Sequence, residues 1–229
     1  MGWTWAKDSI LYDINKDIPP KDIFVAVCVE LGRYYREKGY SFTKSRPKLT
    51  LTSGDIQLEI ILKSSGFNRA GESVSLEIMP TFYCLPYVKA GVQGRGILFD
   101  HSSINSEFDL HKNDLACELI GIYGDVTSFV NHAFPTETVR YTHMCDVYGI
   151  NETKFLQIIR YINDRIVSWV EEIQTESGVE EMIAIQRAKR PGWNLQNCND
   201  FVNCSLAYYI CDRFPVLAQK WDIGLLEEG

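Results

Sequence analysis

The chain has 229 residues, of which 45% are hydrophobic and 23% charged, an ordinary globular composition rather than that of a disordered segment. Thirty acidic against 23 basic residues leave a net charge of -7, which argues against nonspecific nucleic-acid binding and against docking on anionic membranes. No stretch approaches the roughly 18 apolar residues of a membrane span.

Residues 1–20 read as an irregular arm carrying Trp3, Trp5, Ile10 and Leu11. No apolar run of signal-peptide length follows the start, and Ala6 departs from the myristoylation pattern that Gly2 suggests. Pro19 and Pro20 suit the entry to a helix, predicted over 21–38 with Ile23, Val27, Leu31 and Tyr34 on one face. Gly39 is placed to end it. Three amphipathic strands follow at 48–52, 56–63 and 73–79. In the second, Ile56, Leu58, Ile60 and Leu62 oppose Gln57, Glu59 and Lys63; in the third, Val74, Leu76 and Ile78 oppose Ser73, Ser75 and Glu77. A period of two with one polar face predicts an antiparallel sheet wet on one side. Residues 52–55, Thr-Ser-Gly-Asp, signal a tight hairpin. Pro80 and Pro86 bracket 82–85 and mark a strand end or an edge. Gly91, Gly94 and Gly96 suggest a flexible crossover, with short strands at 97–99 and 107–110.

From Asn113 the pattern turns helical, with short helices around Leu115 and Val126, while 134–148 stays open between helix and strand. The clearest helix is 152–176, where Phe155, Ile158, Ile159, Ile162, Ile166, Trp169, Val170 and Ile173 recur at spacings of three and four. Asn151 caps its start and Gly178 is placed to end it. Helices at 179–189, 199–213 and after Pro215 complete the chain. Strands cluster early and helices late, so the expected class is α+β: an N-terminal helix and antiparallel β-meander packed against a helical C-terminal half. The expected organisation is a single compact unit, 1–229, with 21–110 forming the helix-plus-sheet region and 111–229 mainly helical.

Chemical motifs are sparse. The glycines at 91–96 run G-x-x-G-x-G rather than G-x-G-x-x-G, and no helix is predicted to open after them to hold a phosphate. His143 and Cys145 would share a strand face, but two ligands do not make a zinc site. No cofactor and no metal are expected. Seven cysteines without a CxxC pair point to reduced thiols in a cytoplasmic protein. Asp100, His101, Glu107 and Asp109 form the one acidic-histidine group that would serve general acid–base chemistry. Two features suit binding instead. The turn around Arg190 and Trp193 offers residue types favoured as interface anchors. The polar sheet face, with Gln57, Glu59 and Glu77, would present a flat surface to a partner.

The helix ending in Leu31-Gly-Arg-Tyr-Tyr-Arg-Glu-Lys-Gly-Tyr40, the step to Phe42 and the strand Asp55-Ile-Gln-Leu-Glu-Ile60 together resemble small bacterial domains of unknown function built from a helix and a curved antiparallel sheet. The resemblance covers residues 21–85. Some members of that class are held to be toxin-immunity proteins. It implies a non-enzymatic, cytoplasmic protein-binding module, and the acidic charge would suit a basic protein partner. The competing expectations are a hydrolase or transferase with its site near residues 100–109, and a homo-oligomeric structural component.

Overall fold

The computed structural model describes residues 2–64, 66, 68–86, 97–99, 144–189 and 201–223. The expected crossover at 91–96, the expected strand at 107–110, the helices expected between 113 and 130, residues 134–143 and the turn expected at 190–194 fall outside the described residues. Among those described, the class is α+β. Strands β1 (Ser41–Thr43), β2 (Lys48–Ser53), β3 (Ile56–Lys63), β4 (Ser75–Cys84) and β5 (Ile97–Phe99) form an antiparallel sheet in that order, and β6 (Met144–Asp146) also pairs with β4. No described helix is long and apolar enough to cross a membrane. Contacts divide the chain into two units. One comprises Met1–Leu51, Ile60–Met79 and His111–Asp164; the other comprises Thr52–Glu59, Pro80–Leu110 and Arg165–Gly229.

In the first unit, α1 (Pro20–Arg36) begins with proline, whose missing N–H costs nothing in a first turn. Its apolar face buries Ile23, Val27, Leu31 and Tyr35. Its end follows from Gly39, held at φ 88°. The Gly39 amide donates to the Arg36 carbonyl and the Tyr40 amide to the Tyr35 carbonyl, the paired bonds of a Schellman turn. The Tyr35 and Tyr40 rings, 4.8 Å apart, supply the apolar contact that accompanies this turn. The chain then enters β1, where Phe42 pairs with Leu49 of β2. Gly32 faces the Phe42 ring so closely that a Cβ there would collide with it.

Across the described part of this unit, α2 (Glu152–Ile162) buries Phe155, Ile158, Ile159, Tyr161 and Ile162. Asn151 caps it as expected, its side chain accepting from the Lys154 amide at 2.9 Å. The buried Tyr35 hydroxyl donates to the Asn163 side chain at 3.1 Å. Burial pushes that phenol far above its ordinary range. Asn163–Val167 is a single wide π turn at the end of α2.

The β4 strand is longer than the alternation of 73–79 predicts, and both of its faces are largely buried. Ser75, expected on the wet face, is only 6% exposed. The Asn68 side chain accepts from both its amide and its hydroxyl. Pro80 does not end the strand. The pairs to β6 stop at Glu77 and those to β5 start at Phe82, so proline falls between the two partners, where its missing donor breaks neither ladder. The open region 134–148 contains a strand at its end, β6.

Asp146 of β6 accepts from the Val74 amide at 2.8 Å and the Tyr148 amide at 2.9 Å. Burial raises its carboxyl pKa, against the lowering effect of these two amides and of Lys154. A carboxyl raised in the folded state stabilises fully below the unfolded value and loses that contribution as pH rises through its folded value. Asp146→Asn keeps an acceptor oxygen for the amides and removes the titration. Its stability relative to the parent should therefore rise as pH is taken upward from the ordinary aspartate range. Urea unfolding of both proteins across that range checks the sign, and a flat difference would refute it.

In the second unit, Gly54 at φ 58° takes the first central position of the β2–β3 turn, the place of glycine in type II′ hairpins. Helix α3 (Trp169–Glu172) closes at Ile173, and α4 (Glu176–Lys189) follows. Gly178 thus lies inside a helix rather than ending one. Thr175 makes the difference. Its hydroxyl accepts from the Gly178 amide at 3.1 Å, capping α4, and donates to the Glu172 carbonyl at 3.0 Å. A side chain at 178 would strike that carbonyl, so glycine serves close approach here. Helix α5 (Phe201–Arg213) packs on β5. Its Tyr209 hydroxyl donates to the Ile173 carbonyl at 2.8 Å, and burial pushes that phenol up to about 12. Arg213 pairs with Asp55 at 2.6 Å. Pro215 opens α6 (Pro215–Lys220), as expected, with Leu217 buried and Val216 exposed.

Candidate binding groove

Among the described residues, the N-terminal arm builds a candidate site within the first unit. The expectation of an irregular arm holds except for one turn of 3-10 helix, Ile10–Tyr12, started by Ser9. What fixes the arm is the packing of both of its tryptophans, Trp5 buried and Trp3 half-buried. Trp3 stacks on Phe155 at 5.5 Å and 26°, and Trp5 meets the same ring edge-on at 5.0 Å. Trp3 also carries the Arg33 guanidinium 3.9 Å above its ring. The Glu30 carboxylate, only 1% exposed, accepts from the Ala6 amide at 2.9 Å and from Arg33 at 2.7 and 3.0 Å. Arg33 in turn donates to the Thr4 carbonyl. A buried carboxylate is tolerated only when paired and hydrogen-bonded in this way.

With its first residues fixed, the arm folds back on itself. The Tyr12 hydroxyl donates to the Trp5 carbonyl at 3.0 Å. Between this loop and the chain entering α2 lies a cleft of about 280 Å³, lined by Trp5, Leu11, Tyr12, Ile14, Gly149, Ile150, Asn151 and Glu152. Trp5, Leu11 and Ile150 are buried and apolar. Gly149, at φ 68°, makes the turn that brings Asn151 and Glu152 to the rim. Tyr12 is 53% exposed, and Ile10 of the same turn is 39% exposed. The acidic groups here are Glu152, on the lining, and Asp13, exposed between the lining residues Tyr12 and Ile14. A cleft whose lining mixes apolar side chains with polar groups and the Glu152 carboxylate suits a group that joins apolar surface to a cation.

The residues singled out from sequence fall elsewhere. Asp100, His101, Glu107, Asp109, Arg190 and Trp193 lie outside the described residues, as does His143. Gln57 and Glu59 are neighbours on the half-buried face of β3, where the Gln57 amide donates to the Glu59 carboxylate at 3.2 Å. Glu77 lies on β4, half-buried and paired with Met144. Cys145 is buried on β6. Cys28, Cys84 and Cys145 are buried and Cys211 half-buried, none of them in a disulfide; burial raises the thiol pKa of Cys28 and of Cys211. Among the described residues no group of three histidine, cysteine or acidic side chains is placed to hold a metal ion. Sequence reading missed the groove because it joins residues 5–14 to residues 149–152. The one local signal was the density of apolar and aromatic residues in an arm with no periodicity. No family model, no curated protein and no solved structure matches this chain.

Proposed function

We propose that the chain is a non-enzymatic protein-binding module that receives a basic partner in the arm groove. The observation that supports this reading is the exposed Tyr12 ring on the lining of a cleft that Glu152 also lines. An exposed aromatic side chain at a concave surface is of the kind favoured as an interface anchor. Net charge of -7 favours encounter with a cationic partner. In its most specific form the role is immunity-like: a basic toxin, met in the cytoplasm, is held and neutralised.

The test is differential capture. Immobilised parent protein and a Tyr12→Ala/Glu152→Lys variant are exposed to lysate of the native host, and retained proteins are quantified by mass spectrometry. The expected result is a basic protein retained by the parent and depleted about tenfold on the variant, the loss of roughly 1.4 kcal/mol from one anchor and one charge. Equal retention by both proteins, or a retained partner that is itself acidic, would overturn the reading.

A further inference from the structure

Charge is unevenly spread along this chain. Residues 33–48 contain Arg33, Arg36, Lys38, Lys44, Arg46 and Lys48 against the single acid Glu37. That is a local charge of +5, leaving -12 on the remainder of a chain that carries -7. The fold gathers this stretch at one corner of the first unit, from the end of α1 through β1 to the start of β2, where Thr43 pairs with Lys48. Arg33 and Arg36 sit in the last turn of α1, where the helix dipole favours cations. The dipole does not explain Lys44 and Arg46. Both are exposed in the β1–β2 turn, and neither has an ion-pair partner among the described residues.

The cations are interleaved with rings. The Arg36 guanidinium lies 5.4 Å over Phe42 and donates to its carbonyl, and the Lys38 ammonium lies 5.1 Å over Tyr34. Lys44 follows Phe42 by two residues, at most about 7 Å of chain. We infer that this corner is a docking surface for a short acidic segment of a partner protein, its carboxylates met by Arg36, Lys38, Lys44 and Arg46.

Two observations favour carboxylates over nucleic acid. Single-stranded nucleic acid is held by bases stacking on open ring faces. Here the Phe42 ring already meets Arg36 and the Gly32 backbone, and the Trp3 ring already meets Arg33 and Phe155. The remaining charge of -12 also opposes a polyanion that runs on past the corner, whereas a short acidic segment ends before meeting it. This surface is separate from the arm groove and of opposite charge, so neither reading depends on the other.

The experiment measures fluorescence polarisation of a labelled oligoglutamate peptide and a labelled oligothymidylate against the full chain. Binding of the peptide is expected at about 50 mM salt, weakening roughly tenfold by about 200 mM as paired ions are screened. Lys44→Glu/Arg46→Glu should raise the peptide Kd by at least about tenfold, with an unchanged far-ultraviolet circular dichroism spectrum. The neutral pair Lys44→Gln/Arg46→Gln, which keeps the turn polar, should raise it about threefold. The inference is overturned by absence of peptide binding at low salt, by equal affinity in both variants and the parent, or by tighter binding of the oligothymidylate than of the peptide.

Discussion

Phe155→Ala is expected to destabilise the protein by about 3–5 kcal/mol, near the upper end for a single truncation. The side chain is completely buried, and two tryptophan rings of the arm rest on it at 5.5 and 5.0 Å. Truncation removes the transfer energy of the ring, opens a void that flanking aromatics fill poorly, and forfeits two ring–ring contacts worth about 0.5–1.5 kcal/mol each. Trp5 also lines the groove, so the site should go with the ring. Urea unfolding measures the loss, and trypsin cleavage after the exposed Lys7 and Lys16 should accelerate in the variant. Phe155→Leu keeps most of the volume and should lose much less. A loss below about 1 kcal/mol for the alanine variant would mean that the arm does not depend on this ring.

Glu30→Ala should lower stability by about 3 kcal/mol. The carboxylate is buried and accepts from the Ala6 amide and twice from Arg33. Its removal leaves an amide and a guanidinium without their acceptor. Arg33 is 38% exposed, so water compensates part of its loss, and the expected figure lies at the low end for a broken buried pair. Glu30→Gln retains one acceptor for Ala6 and should cost about half as much. Combining Glu30→Ala with Arg33→Ala should cost less than the sum of the two single changes, because the stranded cation is gone. Additive losses in that cycle would show that the pair is not coupled.

The elements set by local chemistry were legible in the sequence. Helix α1 and its Gly39 end, the three strands up to 79, the hairpin at Gly54, the short strand at 97–99 and the Asn151 cap all follow from periodicity or from a turn residue acting on its neighbours. The failures share a cause. Gly178 reads as a stop until Thr175 is taken as the cap of the next helix, because capping decides on which side of a boundary a glycine falls. Pro80 reads as a strand end or an edge because a missing donor matters only where a partner strand stands opposite, and the sequence does not say where the partners lie. Ser75 looked solvent-facing because the residue that covers it, Asn68, comes from a loop without a pattern. Of the proposed contact residues, Gln57, Glu59 and Glu77 were placed, each half-buried. The arm was least legible. Its anchors are Glu30 and Phe155, the latter about 150 residues further along the chain, and no window of sequence carries that relation. A glutamate between Val29 and Leu31, facing the buried side of a helix three residues before an arginine, was the signal available.

The buried thiols have a practical meaning of another kind. Cys28 lies in α1, Cys84 at the end of β4 and Cys145 in β6, each almost wholly enclosed. A thiol reacts as the thiolate, and a thiol sealed from water reacts only when its surroundings open. Each is therefore a chemical clock for its own element. Labelling followed by peptide mapping reads the opening of helix, central strand and short partner strand separately in one sample, and so distinguishes local fraying from global unfolding.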